Sequence, residues 1–288
     1  MKKRLLTALV GVSIAVGWLC CIGTPAFAII LAVVAGIAAF EMMKVFGITN
    51  KLFFVLGEVT AVGIVLLADY QKYLRLPVYA LWAVAVLLGL IIMVTDYKDL
   101  KFEQVACALM SVILIPAALS VAVYIRNFND LLPGLSQTKA NNSVFLILFT
   151  FFCAWLTDGF ALFTGMAFGK HKLAPVISPK KTIEGAVGGV LGNCLSCVIL
   201  WYIFHANFSI SPYFNVVWVI CSALGLSVVS IFGDLAASTI KRHAGIKDFG
   251  NLLPGHGGIM DRFDSSVFVF AAFWAEMLIM DRVLFPGG

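Results

Sequence analysis

The sequence predicts an all-α polytopic membrane protein of about nine transmembrane helices, and three observations carry that prediction. Of 288 residues, 61% are hydrophobic and only 12% charged, against about 45–50% and about 25% in soluble domains. The mean hydropathy of +1.01 excludes a soluble globule with polar cover, and equally a disordered chain, which needs low hydrophobicity and high charge. The apolar residues gather into runs near 5–23, 26–43, 52–69, 78–95, 105–125, 144–166, 183–204, 215–233 and 265–284. Each is close to the ~20 residues that cross a bilayer as a helix. Backbone groups in hydrocarbon must bond within their own segment, and no run alternates as a barrel strand does, so each is predicted helical.

The first run follows Met1-Lys2-Lys3-Arg4 and ends near Ala26-Phe27-Ala28, a pattern close to a cleavable secretory leader. The stretch is long for a leader core and another apolar run comes directly after it, so a retained first helix is expected. The positive-inside rule sets the orientation. With the N-terminus cytoplasmic, the connections near 44–51, 96–104, 170–182 and 234–264 are cytoplasmic too. That side then carries 15 of the 20 Lys and Arg, leaving Lys72, Arg75, Arg126, Lys139 and Arg282 opposite. The C-terminus is expected on the opposite side. No internal repeat is evident. Residues 1–143 form an N-terminal region of about five plain spans. Residues 144–288 form a C-terminal region of about four, holding the polar loops 170–182 and 234–264.

The formal charge of +5 is explained by this loop bias, and no nucleic-acid partner is expected. Seven cysteines sit almost wholly in apolar runs; Cys194-x-x-Cys197 lacks the second pair that a zinc site needs. They are expected to behave as small hydrophobic residues.

Residues 234–264 form the densest polar patch of the chain. If Asp234 to Arg242 extend the eighth helix, Asp234, Ser238, Lys241 and Arg242 fall on one face, because positions four and seven or eight apart stack. Pro254-Gly255-His256-Gly257-Gly258 cannot be regular helix. Its glycines allow close backbone approach and can aim N–H groups at an anion, with His256 a candidate phosphate donor or proton shuttle. Asp261 and Asp264 would share a face at the start of the ninth helix. Four Asp (234, 248, 261, 264) face four cations (Lys241, Arg242, Lys247, Arg262). A loop that only docks on anionic lipid would be net basic, and cations that merely set orientation need no glycine loop. Balanced signs in one place suit a site that holds a divalent cation together with phosphates.

These residues resemble a known family. Ser238-x-x-Lys241-Arg242, then Lys247-Asp248, then Pro254-x-His256-Gly257-Gly258-x-x-Asp261-Arg262-x-Asp264 is very similar to the signature of the phosphatidate cytidylyltransferases, or CDP-diacylglycerol synthases. A second block looks alike: Asp158 inside the sixth span, Gly165, and Lys180-Lys181-Thr182-x-Glu184-Gly185. There, two cations and hydroxyls precede a helix N-terminus, which favours phosphate. An aspartate inside a span is costly unless it faces the bundle interior or water. The sequence departs from the family pattern at Ala237, where Glu is usual, at Phe249, where a small residue is usual, and at Gly159–Leu162, where a Thr-Gly-Ala-Tyr-like run is usual.

The resemblance implies that CTP and phosphatidate give CDP-diacylglycerol and pyrophosphate with Mg²⁺, with room for a second metal ion. Asp234 and Asp261 are the first candidates for metal ligands, with Asp264 a third and Asp248 a further ligand or orienter. Lys241, Arg242, Lys247 and Arg262 are expected to grip phosphates, with Ser238 and the Gly257-Gly258 backbone completing the cradle. Asp158, Lys180, Lys181, Thr182 and Glu184 are expected on the lipid-head or nucleotide side. The implied setting is a bacterial inner membrane with a cytoplasmic-side site, membrane lipids as neighbours and a homodimer as the assembly. Rivals are weaker. A secondary transporter should show repeats and midplane broken helices. A CDP-alcohol phosphotransferase needs Arg where Phe163 stands in the run from Asp158-Gly159. A CTP-dependent lipid-alcohol kinase is the nearest biochemical alternative.

Overall fold

The computed structural model describes residues 17–74, 78–132, 134–135, 142–252 and 257–285, with the side chains of 71–79 left aside. Each of the eight later apolar runs is helical. The helices are α1 (Ala26–Val45), α2 (Lys51–Leu74), α3 (Val78–Thr95), α4 (Phe102–Arg126), the single turn α5 (Phe128–Leu131), α6 (Asn142–Phe151), α7 (Thr157–Phe168), α8 (Ile183–Asn207), α9 (Val216–His243) and α10 (Met260–Leu284). The first run, 5–23, lies mostly outside the described residues. Among the described residues six helices are long and apolar enough to cross a membrane, with Ala80–Thr95 a shorter apolar helix. The protein is an all-α polytopic membrane protein. The loop 170–182 departs from the purely helical expectation. Lys172–Ala174 and Ser178–Thr182 pair as an antiparallel hairpin, Lys172 opposite Thr182 and Ala174 opposite Ser178.

The chain divides into two compact units, residues 1–124 with 244–263, and residues 125–243 with 264–288. In the first, Ala39, Met43, Phe53, Ala61, Ala108 and Val112 belong to one buried apolar cluster. Three connections of this unit gather at one end. Asn50 Nδ2 donates to Asp96 Oδ2 at 2.6 Å, and Gln104 Nε2 to the Gly47 carbonyl at 3.4 Å. The backbone N–H groups of Ile259 and Met260 donate to the Glu41 carboxylate at 3.1 and 2.9 Å. Residues 44–51 and 96–104 thus meet at the end of this unit where Ile259 and Met260 reach α1.

In the second unit the two ends differ in chemistry. One end is aromatic: Phe145 lies 5.6 Å from Phe204, and Phe149 lies 5.2 Å from Trp218 and 6.2 Å from Phe273, centroid to centroid. There Ser211 Oγ donates to the Leu135 carbonyl, and its N–H to Asn142. The other end holds the charged residues. Between them runs a buried polar seam, in which Asn193 Nδ2 and Thr157 Oγ1 both donate to Ser227 Oγ at 2.8 and 3.1 Å. Hydrogen bonding between helices takes over here because lipid gives apolar surfaces no reason to associate.

Close packing of α8 on α7 results from a glycine stripe. A Cβ at Gly185 or Gly189 would stand 2.7 Å from the carbonyl oxygens of Ala161 and Thr157, so only glycine lets the backbones meet. Cysteines were expected to be buried hydrophobes. Cys153 and Cys197 are, with sulfurs 3.9 Å apart, but Cys20, Cys107 and Cys221 are exposed on the protein's own surface. On α4 and α9 that surface is one a bilayer would cover.

Gly189→Ala is expected to overpack the α7–α8 crossing and destabilise the protein by about 1–3 kcal/mol. A lowered thermal midpoint of the detergent-purified protein, with membrane insertion retained, is the measurement that checks it.

Candidate active site

Helix α9 continues ten residues beyond the apolar run ending at 233, as the polar pattern predicts. It therefore carries Asp234, Ser238 and Lys241 inward. Ser238 and Lys241 are buried, Asp234 is half-buried and Arg242 is exposed. Arg242 consequently leaves the shared face: its Nε donates to the Ile177 carbonyl at the hairpin turn, at 3.3 Å.

Asp158 enters from α7. Just before it, Phe152–Leu156 form a π-helical turn, a widening by one residue that re-aims the side chains of α7. The carbonyl of Ala154 within that turn accepts from Ser230 Oγ of α9 at 3.1 Å. Asp158 Oδ2 accepts from Ser265 Oγ at 3.1 Å, and the Ser265 N–H donates to Asp264 Oδ1 at 2.8 Å. Lys241 Nζ lies 3.6 Å from Asp264 Oδ2, and Lys181 pairs with Asp234. Asp264 stands one residue before the apolar run 265–284. Burial foremost, and then the Asp234 carboxylate, push its carboxyl up to about 7 against the pull of Lys241. In the second unit two carboxylates are thus paired with lysines, Asp234 with Lys181 and Asp264 with Lys241, while Ser265 links Asp264 to Asp158.

The hairpin is tied down by residues expected to touch substrate. Thr182 caps α8, its Oγ1 accepting from the Gly185 N–H at 3.1 Å. Glu184 accepts the N–H groups of Lys170 and His171 at 3.0 and 3.2 Å, and its Oε1 lies 2.6 Å from His171 Nδ1. Thr182 and Glu184 therefore shape the hairpin that presents Lys180 and Lys181. Lys180 is exposed on the strand.

In the first unit, Asp261 Oδ2 accepts two backbone N–H groups, from Phe249 at 2.8 Å and Gly258 at 2.9 Å. The bond back to Gly258, three residues upstream, is the reach of a capping box at the start of α10. Gly257 has φ +83°, and a Cβ there would stand 2.8 Å from Asp261 Oδ2. That position needs glycine on both counts. Lys247, Asp248 and Arg262 are exposed, and His256 lies outside the described residues. Among the described residues, no three His, Cys, Asp or Glu converge as a ready-made metal cage.

The chain matches the cytidylyltransferase family over residues 2–280. It belongs to that family. Over part of its length the chain is similar to proteins named phosphatidate cytidylyltransferase. With that of Staphylococcus haemolyticus strain JCSC1435 it is 46% identical over 123 residues, which is 43% of this chain and 45% of the relative. With that of Staphylococcus aureus strain COL it is 48% identical over 124 residues, with the same shares. With that of Staphylococcus saprophyticus it is 49% identical over 123 residues, again 43% and 45%. The matched stretch spans a little under half the length of each relative.

Two departures from the family pattern have a structural reading. Phe249 is buried and engages Asp261 through its backbone N–H, which any residue but proline supplies. Ala237 is buried at 2% exposure, so this member of the family has an apolar contact where a carboxylate is usual. Two residues escaped the sequence reading. Ser265, which bridges Asp158 and Asp264, carries no local signal. Glu41 does: it is a lone carboxylate in an apolar run, a kind of residue that marks function by default.

Lys241→Met should remove the cation that holds the Asp264 carboxyl down, so that the acid folds protonated at neutral pH; the lost pair should destabilise the protein by about 1–3 kcal/mol, more as pH rises. Adding Asp264→Asn to that variant should restore most of the lost thermal stability, and two additive losses would refute the pairing.

Proposed function

We propose that this chain is a phosphatidate cytidylyltransferase that converts CTP and phosphatidate into CDP-diacylglycerol and pyrophosphate. The observation that carries the reading is the cluster of Asp158, Asp234 and Asp264 with Lys181 and Lys241, in a member of the cytidylyltransferase family. The reaction joins two anions. A phosphate oxygen of phosphatidate attacks the α-phosphorus of CTP. A new phosphorus–oxygen bond forms, the bond to the β-phosphate's bridging oxygen breaks, and pyrophosphate leaves with that electron pair.

The nucleophile is already ionised, so little general-base work is required. What the protein must supply is alignment and positive charge. Lys181 and Lys241 are cations already held at carboxylates, and phosphate oxygens can draw them into the same function. Lys180, Arg242, Lys247 and Arg262 are further phosphate contacts. Ser238, the Gly257-Gly258 backbone and His256 complete the cradle.

The donor set suits Mg²⁺. That ion takes one or two hard carboxylates plus substrate phosphates rather than an all-protein cage. Asp234 and Asp264 would hold it, with Asp261 as a third candidate and Asp248 as an orienter, and a second ion is compatible with the carboxylates present. When bound, Mg²⁺ would supply charge neutralisation on the triphosphate. The Lys and Arg distribution favours a cytoplasmic-side site. CTP then arrives from water while the acyl chains stay in the leaflet, and a bacterial inner membrane is the proposed setting.

Purified protein given labelled CTP, phosphatidate and Mg²⁺ should form a chloroform-soluble cytidine product, and chelation should abolish it. Transfer of the terminal phosphate of CTP to a lipid alcohol instead would replace this reading with a lipid kinase. Asp261→Asn should insert normally yet lower turnover by on the order of 10²–10³, the scale of removing one electrostatic contact to a transition state.

A further inference from the structure

Glu41 is a carboxylate that the proposed reaction does not use. It lies near the end of α1, is 6% exposed, and reaches a segment more than two hundred residues later. Its Oε1 accepts the Ile259 N–H at 3.1 Å and its Oε2 the Met260 N–H at 2.9 Å. Met260 is the first residue of α10, so both oxygens are spent on backbone donors at the start of that helix. Such donors have no partner within their own helix, and a carboxylate there also meets the positive end of the helix dipole.

The surrounding chain is shaped to admit this carboxylate. A Cβ at Gly250 or Gly258 would collide with Glu41 oxygens, so both glycines keep the backbone clear of it. Gly258 is also the residue whose N–H holds Asp261. Glu41 thus grips Ile259 and Met260 from one side while Asp261 grips Gly258 and Phe249 from the other. Movement of either grip displaces the turn that they share.

We propose that Glu41 is a positioning residue for the site, a capping carboxylate from α1 that fixes the Gly257–Arg262 turn and thereby the direction of Asp261. The catalytic half of this proposal rests on the cytidylyltransferase reading; the structural half does not. Glu41→Gln is the informative variant, because its amide oxygen can accept one N–H while its NH₂ group cannot accept the other. Glu41→Asp, shorter by one methylene, should be intermediate. Gly250→Ala, which presses on Glu41 from a position that the signature leaves open, should reproduce the defect.

Two measurements on the full-length protein in detergent decide the matter. Hydrogen–deuterium exchange without metal or nucleotide should be faster across 257–262 in Glu41→Gln. Steady-state kinetics should show kcat lower by on the order of 10–100-fold, the range for residues that orient a ligand without touching substrate. The Mg²⁺ concentration for half-maximal rate should rise about as much, whereas a mere loss of folded protein would scale the rate without moving that midpoint. Glu103→Gln, exposed on the same unit, should change neither readout. Unchanged exchange in Glu41→Gln overturns the clamp whatever the activity. Faster exchange with wild-type kcat and Mg²⁺ dependence overturns the positioning role. A wild-type protein inactive with CTP and phosphatidate counts against the functional reading, and the exchange result then judges the clamp by itself.

Discussion

A carboxylate taken from water into an apolar bundle costs several kcal/mol unless a cation or a set of N–H groups meets it, and this chain answers that constraint in more than one way at five of its acids. Asp264 is met by Lys241 and the Ser265 N–H, Asp234 by Lys181, and Asp158 by the Ser265 hydroxyl. Asp261 and Glu41 are met by backbone N–H groups. The pattern separates two kinds of acid. The lysine-held acids lie at the charged end of the second unit. Asp261 and Glu41 accept from the main chain, and those bonds tie together the segments that carry the donors.

The scaffold is built around keeping these groups in place. The glycine stripe of α8 brings α7 within backbone contact, which sets the position of Asp158 relative to Thr182 and the hairpin. The π turn at Phe152–Leu156 adjusts the rotation of the same helix, and hydroxyls of α9 satisfy groups around it. An aromatic core anchors the far end of the same helices. The second unit is thus rigid by interdigitated rings at one end and by ion pairs at the other, with a hydrogen-bonded seam between.

Much of the site was legible before the structure. The extension of α9 past residue 233 was implied by the stacking of Asp234, Ser238 and Lys241, and the start of α10 by the glycines ahead of Asp261. Glycine at 257 was legible as a special backbone position, and its φ of +83° gives the reason. Other features were not. Arg242 belongs to the same helical column on a wheel, yet it turns to the Ile177 carbonyl, because the hairpin offers an acceptor that no helical pattern encodes. The hairpin itself was hidden, since three- and five-residue strands held by Glu184 and Thr182 leave little periodicity to read. Glu184 and Thr182 look like substrate contacts from their place beside Lys180-Lys181, and their partners make them supports of the hairpin.

By itself the sequence determined the solvent, the helices and the two segments where chemistry collects. Hydropathy, charge bias and short motifs are sums over neighbouring residues, and each can be evaluated without knowing where the chain goes next. Only the tertiary structure decided which acid meets which cation, that Ser265 joins two aspartates, and that a glutamate on α1 caps a helix beginning at Met260. Those facts depend on which distant residues are brought within about 3 Å, the range in which a hydrogen bond forms. No local pattern specifies that distance.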